Sequence, residues 1–242
     1  MFQEPRPPAA DVEGQHVIWE TVWRWMLGPV ASLHAPATNN YKPDADATIA
    51  KLTARVAATH SDGSIEDAAL EPSRVSAAYQ LVNEGEAGAT ALLALLLNER
   101  TSDDNTVSEI GLHGWAPYRS AAYALAFSSS KQVVPALAAA TTKSRLRELR
   151  ALAVFCLGQS ISLDPLCVLG ALEAVDDESS FVRSTAVAAL GFAGRRLLAA
   201  DPTPDRSNAV AQAVNKLILA LDRPDFANDF YGAGAALPIR IA

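Results

Sequence analysis

The strongest constraint on this chain is a short motif that returns four times. Arg74 opens Arg-Val-Ser-Ala-Ala-Tyr-Gln-Leu and Arg119 opens Arg-Ser-Ala-Ala-Tyr-Ala-Leu-Ala. Arg150 opens Arg-Ala-Leu-Ala-Val-Phe-Cys-Leu-Gly and Arg183 opens Arg-Ser-Thr-Ala-Val-Ala-Ala-Leu-Gly. All four read Arg-x-x-Ala, and the arginines stand 45, 31 and 33 residues apart. Ala233-Gly-Ala-Ala-Leu237 is a fifth, degenerate copy with Phe230 in the arginine's place. Recurrence on this scale marks an array in which each unit buries its apolar face only against its neighbours. Second apolar helices are expected between the motifs, at about residues 86–98, 131–141, 164–175 and 206–221. Pro72 and Pro117 each precede an arginine by two residues, which places them in a first helical turn, where the missing N–H costs nothing.

Composition agrees with helices and with little else. Half of the 242 residues are apolar, yet only 7% are aromatic, and about a fifth are alanine. Alanine is the best helix former and a poor strand residue, so an all-β fold is disfavoured. The apolar content is too high for a disordered chain.

The segments Leu149-Arg150-x-x-Ala153-x-x-x-Leu157-Gly158 and Val182-Arg183-x-x-Ala186-x-x-Ala-Leu190-Gly191 resemble HEAT repeats, in particular the short HEAT-like repeats of phycobilisome lyases. The resemblance covers about residues 117–222 well and 72–100 more weakly. It implies an all-α fold, a right-handed α-solenoid of about five to six stacked helical hairpins. Residues 1–12 would be a flexible segment, 13–71 irregular or capping helices, and 72–242 the array, with an insertion loop at 99–116. The resemblance also implies that each arginine bonds an acidic residue or a free carbonyl of a neighbouring turn. Arg74, Arg119, Arg150 and Arg183 then form a structural ladder, with Glu71, Glu148 and Asp176-Asp177-Glu178 available as partners. The alternative is an arginine row that binds an anionic ligand. The glycine after each Leu is expected to end the first helix in a left-handed turn.

Chemistry is much less legible. The chain lacks Gly-x-Gly-x-x-Gly, P-loop, His-Glu-x-x-His and Gly-x-Ser-x-Gly motifs. His16, His34, His60 and His113 are scattered, and none forms the His-Glu pairs of HEAT-type di-iron hydroxylases. No metal and no cofactor is expected. Cys156 and Cys167 sit in apolar surroundings and read as buried thiols. Aromatic residues concentrate in two places: Trp19, Trp23 and Trp25 in a helix expected at about 13–27, and Trp115 in the 99–116 loop. A loop of that length inside an array is often functional. The cluster Lys143, Arg145, Arg147 and Arg150 is the one local basic patch. Asp225 and Asp229 read as the capped start of a last helix rather than as paired catalytic carboxylates.

The expected function is a non-enzymatic scaffold that binds a protein or peptide on the concave face of the solenoid. Second helices usually line that face, so the polar side of 131–141, 164–175 and 206–221 is the candidate surface, with Gln132, Asp164, Asn208, Gln212 and Asn215. Trp115, His113, Tyr118, Arg119, Tyr123 and Arg150 are further binding candidates. The same aromatic and polar residues would wall the pocket of a lyase-like or tailoring enzyme, the alternative reading. A net charge of −7 favours a basic partner and disfavours nucleic-acid binding or repair. The C-terminal segment, within a first helix and without a polar cap, is expected to pack on a second copy, a partner or residues 197–206. No signal peptide and no run long enough to span a bilayer is read, so the expected setting is the cytoplasm.

Overall fold

The computed structural model describes residues 48–58, 66–97, 116–144 and 146–221. Among these residues the chain is all-helical, with nine α-helices, one 3-10 turn and no strand. In order they are α1 (Ile49–Ala57), α2 (Glu66–Asn83), α3 (Gly85–Leu97), α4 (Ala116–Ala126) and α5 (Val133–Lys143). There follow α6 (Arg147–Gln159), α7 (Leu166–Glu173) with the 3-10 turn Ala174–Asp176, α8 (Ser180–Ala199) and α9 (Pro204–Leu221). Up to Ala220 these helices belong to one unit, Pro43–Ala220.

Local chemistry sets the helix ends. Thr48 caps α1, its hydroxyl accepting the Lys51 N–H at 3.3 Å. Asp164 does the same for α7, accepting from Leu166 at 2.9 Å. Pro117 stands in the first turn of α4 as expected, and Pro204 opens α9. Pro72 does not, because α2 begins at Glu66 and already contains it. The α2–α3 junction turns on Gly85, whose φ of +66° lies in the left-handed region that side chains disfavour.

Packing follows two interleaved rows. Helices α1 to α4 touch in chain order, α3 meeting α4 across residues 98–115 of the sequence, and so do α5 to α8. The first helices also touch in series, α2 on α4, α4 on α6 and α6 on α8. So do the second helices, α3 on α5 and α5 on α7. Helix α6 is therefore surrounded by α4, α5, α7 and α8, and residues 149–158 are buried without interruption. A helix with apolar residues on every side is the sequence form such a position requires.

Two glycine expectations need correction. Gly158 and Gly191 do not terminate their helices in a left-handed turn. Both lie inside them, and Gly85 is the one positive-φ residue among those described. The role of Gly158 is close approach: a Cβ there would stand 2.7 Å from the Ala189 Cα, so only glycine lets α8 settle on α6.

Candidate functional site

The recurring arginines are placed on the first helices; Arg74, Arg119 and Arg150 are buried, and Arg183 is partly exposed. Arg74 is fully buried, and its Nε donates to the Ala58 carbonyl at the end of α1 at 2.7 Å. Arg119 on α4 is buried as well. Arg150 enters the α6 core and forms a two-pronged pair with Asp177, from Nε to Oδ2 at 2.7 Å and from Nη2 to Oδ1 at 2.9 Å. Its Nη2 also reaches Glu178 Oε1 at 3.2 Å, and its Nη1 donates to the Ser144 carbonyl at 3.2 Å. The hydrogen-bonded Asp177 carboxylate holds the Arg150 pKa above the ordinary guanidinium value. Arg183 donates to the Asp177 and Glu178 carbonyls at 2.8 and 3.0 Å. Asp177 Oδ1 further accepts the Ser179 N–H at 2.8 Å, just before α8. One carboxylate thus ties the start of α6, the end of the 3-10 turn and the start of α8. Glu148 is turned instead to its neighbour Arg147, at 2.9 Å on the surface.

The other sequence candidates do not converge. Tyr123 is a core residue, its ring tilted 58° against Phe155 at 5.3 Å between centroids. Tyr118 is half-buried on the first turn of α4. Gln132 joins two second helices, its Nε2 donating to the Glu86 carbonyl at 3.0 Å and to Thr90 Oγ1 at 2.7 Å. Asn208, Gln212 and Asn215 are exposed on α9. Trp19, Trp23, Trp25, His113, Trp115, Arg145, Asp225, Asp229 and the C-terminal segment lie outside the described residues, as do His16, His34 and His60.

The solvent side of the second-helix row is not polar as expected. Helix α3 turns Ala87, Thr90, Ala91, Ala94 and Leu95 outward, wholly or in part. Helix α5 turns out Pro135, Ala136 and Ala139, and α7 turns out Leu166 and Leu169. Small and apolar side chains therefore dominate this surface, with Lys143 and Glu173 at its helix ends.

Three structural devices went unread in the sequence. Ser128-x-Ser130-x-Gln132 and Ser160-x-Ser162-x-Asp164 form the same turn in successive repeats. In each, a serine hydroxyl accepts the N–H two residues on, at 3.1 to 3.4 Å. Glu86 fixes the first of these turns, accepting from the Ser130 hydroxyl at 2.6 Å and the Lys131 N–H at 3.2 Å. The Ser-x-Ser spacing was the available signal. Arg196 is the third device: it donates to the Gly158 and Ser162 carbonyls at 3.0 and 3.3 Å, placing a cation at the C-terminus of α6. Burial lowers its pKa.

Both cysteines are buried free thiols, and Cys156 Sγ donates to the Ala122 carbonyl at 3.0 Å. Burial pushes both thiols up, away from nucleophilic use at neutral pH. Among the described residues no three His, Cys, Asp or Glu side chains are grouped to hold a metal ion. No described helix is long and apolar enough to cross a membrane. Comparison with protein-family models, curated proteins and solved structures finds no match.

Proposed function

We propose that the chain is a HEAT-like, right-handed α-solenoid and that it acts as a non-enzymatic scaffold for a protein or peptide partner. The two contact rows, the short turns between paired helices and the buried Arg74, Arg119 and Arg150 at repeat spacing support the architecture. The observation that carries the function is the solvent side of α3, α5 and α7. Ala87, Ala91, Ala94, Ala136, Ala139, Leu166 and Leu169 make a low, apolar surface on which a helix or extended segment can lie closely. Arg74, Arg150 and Arg183 are held by the fold's own carbonyls and carboxylates, which favours the ladder over an anion site. The net charge of −7 suits a partner with basic flanks. We place this activity in the cytoplasm, where two unpaired thiols stay reduced.

The test is to pan displayed libraries of amphipathic helical and basic extended peptides on the full chain. Binders that lose about tenfold in affinity on Ala91→Glu or Ala139→Glu, with an unchanged melting curve, support the reading. Binders indifferent to both substitutions, or libraries that yield none, overturn it.

A further inference from the structure

The second-helix row is joined in two different ways. Between α5 and α7 the helices close directly on each other. A Cβ on Gly170 would stand 2.9 Å from the Ala138 Cβ and 2.8 Å from Leu157 Cδ1, so no side chain separates the two helices there. Between α3 and α5 the links are polar and sit at one end. Glu86, in the first turn of α3, accepts the Ser130 O–H at 2.6 Å and the Lys131 N–H at 3.2 Å. Gln132, just before α5, reaches back with its amide to the Glu86 carbonyl at 3.0 Å and to Thr90 Oγ1 at 2.7 Å. Thr90 closes the network by donating to the same Glu86 carbonyl at 2.8 Å.

The next repeat does not copy this clasp. Asp164 stands two residues after the second serine of its turn, as Gln132 does, but its shorter side chain caps Leu166 of its own helix at 2.9 Å. The two seams therefore differ in what opens them. Parting Gly170 from Ala138 and Leu157 forfeits close-packed contacts. The Gln132 and Lys131 bonds lie at exposed positions, where water replaces a lost partner, so each adds only modestly to the closed state. Beyond the clasp, α3 turns Ala91 and Ala94 outward and α5 turns out Ala136 and Ala139, wholly or in part. Among the described residues no hydrogen bond joins the two helices along that stretch.

We propose that the α3–α5 seam is the adjustable part of the partner surface, and that the clasp of Glu86, Ser130, Gln132 and Thr90 is the catch that sets its width. Release of the clasp spreads Ala91 and Ala94 from Ala136 and Ala139, and so changes the size of segment that the surface accepts, while α5 and α7 move as one. The regulatory role rests on the scaffold reading of that surface.

The experiment is pulsed electron double resonance on the full chain with nitroxides at two pairs of exposed positions. Ala94→Cys with Thr142→Cys spans the clasped seam, and Thr142→Cys with Glu173→Cys spans the glycine seam. The native thiols are buried. Each pair is measured in the parent, in Glu86→Ala with Gln132→Ala, and in the milder Thr90→Val, which removes one acceptor of the Gln132 amide and keeps the side-chain shape. The double substitution should raise the population at longer distance across the clasped seam about tenfold, the effect of losing a few modest bonds, with Thr90→Val between it and the parent. The glycine seam should keep its parent distribution. Ser129→Ala, on the same turn but outside the clasp, should change neither pair. Clasp variants with the parent distribution across α3 and α5 overturn the catch. Equal broadening of both pairs overturns the α3–α5 seam as the adjustable one. No partner enters these measurements, so their failure is distinct from a failure of the peptide panning.

Discussion

Arg150 and Asp177 form a buried, two-pronged ion pair across the last two described helix pairs, with their side chains 7% and 8% exposed. Breaking such a pair strands a charge in the core. Asp177→Ala should therefore cost about 3–5 kcal/mol, because Arg150 keeps its burial and loses its main acceptor. The double substitution Arg150→Met with Asp177→Leu should recover much of that loss, since neither charge then needs solvating. Urea denaturation of the parent and the two variants tests both statements. Equal losses in the single and double variants would show that the Asp177 side-chain bond to the Ser179 N–H, not the ion pair, carries the effect.

Gly158 and Gly191 occupy the same repeat register but should respond to alanine with opposite signs. Gly158→Ala forces α8 away from α6 and should destabilise by about 1–3 kcal/mol. Gly191→Ala adds helix propensity in open space and should stabilise by roughly 0.5–1 kcal/mol. Thermal melts of the two variants at one low concentration decide this.

Among the described residues the buried Tyr79 hydroxyl has no hydrogen-bond partner, and its ring lies 5.8 Å from that of Phe127. Tyr79→Phe should be neutral or stabilising by about 1 kcal/mol, since it removes an unsatisfied polar group and keeps the ring. Burial pushes the Tyr79 pKa up to about 12, from an ordinary value of 10. The folded state thus holds its proton more tightly than the unfolded chain does. That preference supports the fold fully below pH 10 and is lost as pH rises through about 12. The parent should lose stability over this window more steeply than Tyr79→Phe, as read from melting temperature against pH.

Cys156 and Cys167 should resist a water-soluble disulfide reagent in the folded protein and react only as the helices open. Labelling should follow the denaturation curve measured by circular dichroism. Rapid labelling at zero denaturant would contradict the packing around α6 and α7.

The Arg-x-x-Ala motif made the first helices legible because it combines a strong helix former with a period, and both are local properties. The second helices were legible from apolar runs at about the right length; among the first helices the start of α2 was not, since Pro72 misplaced it. What Leu-Gly does was not legible. The same dipeptide suits a helix stop or a close crossing, and the choice at Gly158 is made by Ala189, 31 residues further along. The inward turn of Tyr123 onto Phe155 is a tertiary fact of the same kind. Gln132 read as a free surface amide, yet its partners Glu86 and Thr90 come from the preceding repeat. The apolar side of α3, α5 and α7 was hidden because an exposed alanine looks like a buried one in a sequence.

The enclosure of α6 carries a consequence for modularity. Helical repeat arrays, the architecture proposed for this chain, are commonly treated as strings of interchangeable units that can be lengthened, shortened or melted piecemeal. Here residues 149–158 take their cover from four other helices, and one carboxylate, Asp177, bridges two successive pairs. Excising either flanking pair uncovers the middle one. The central repeats should therefore be inherited, engineered and unfolded as a single indivisible block.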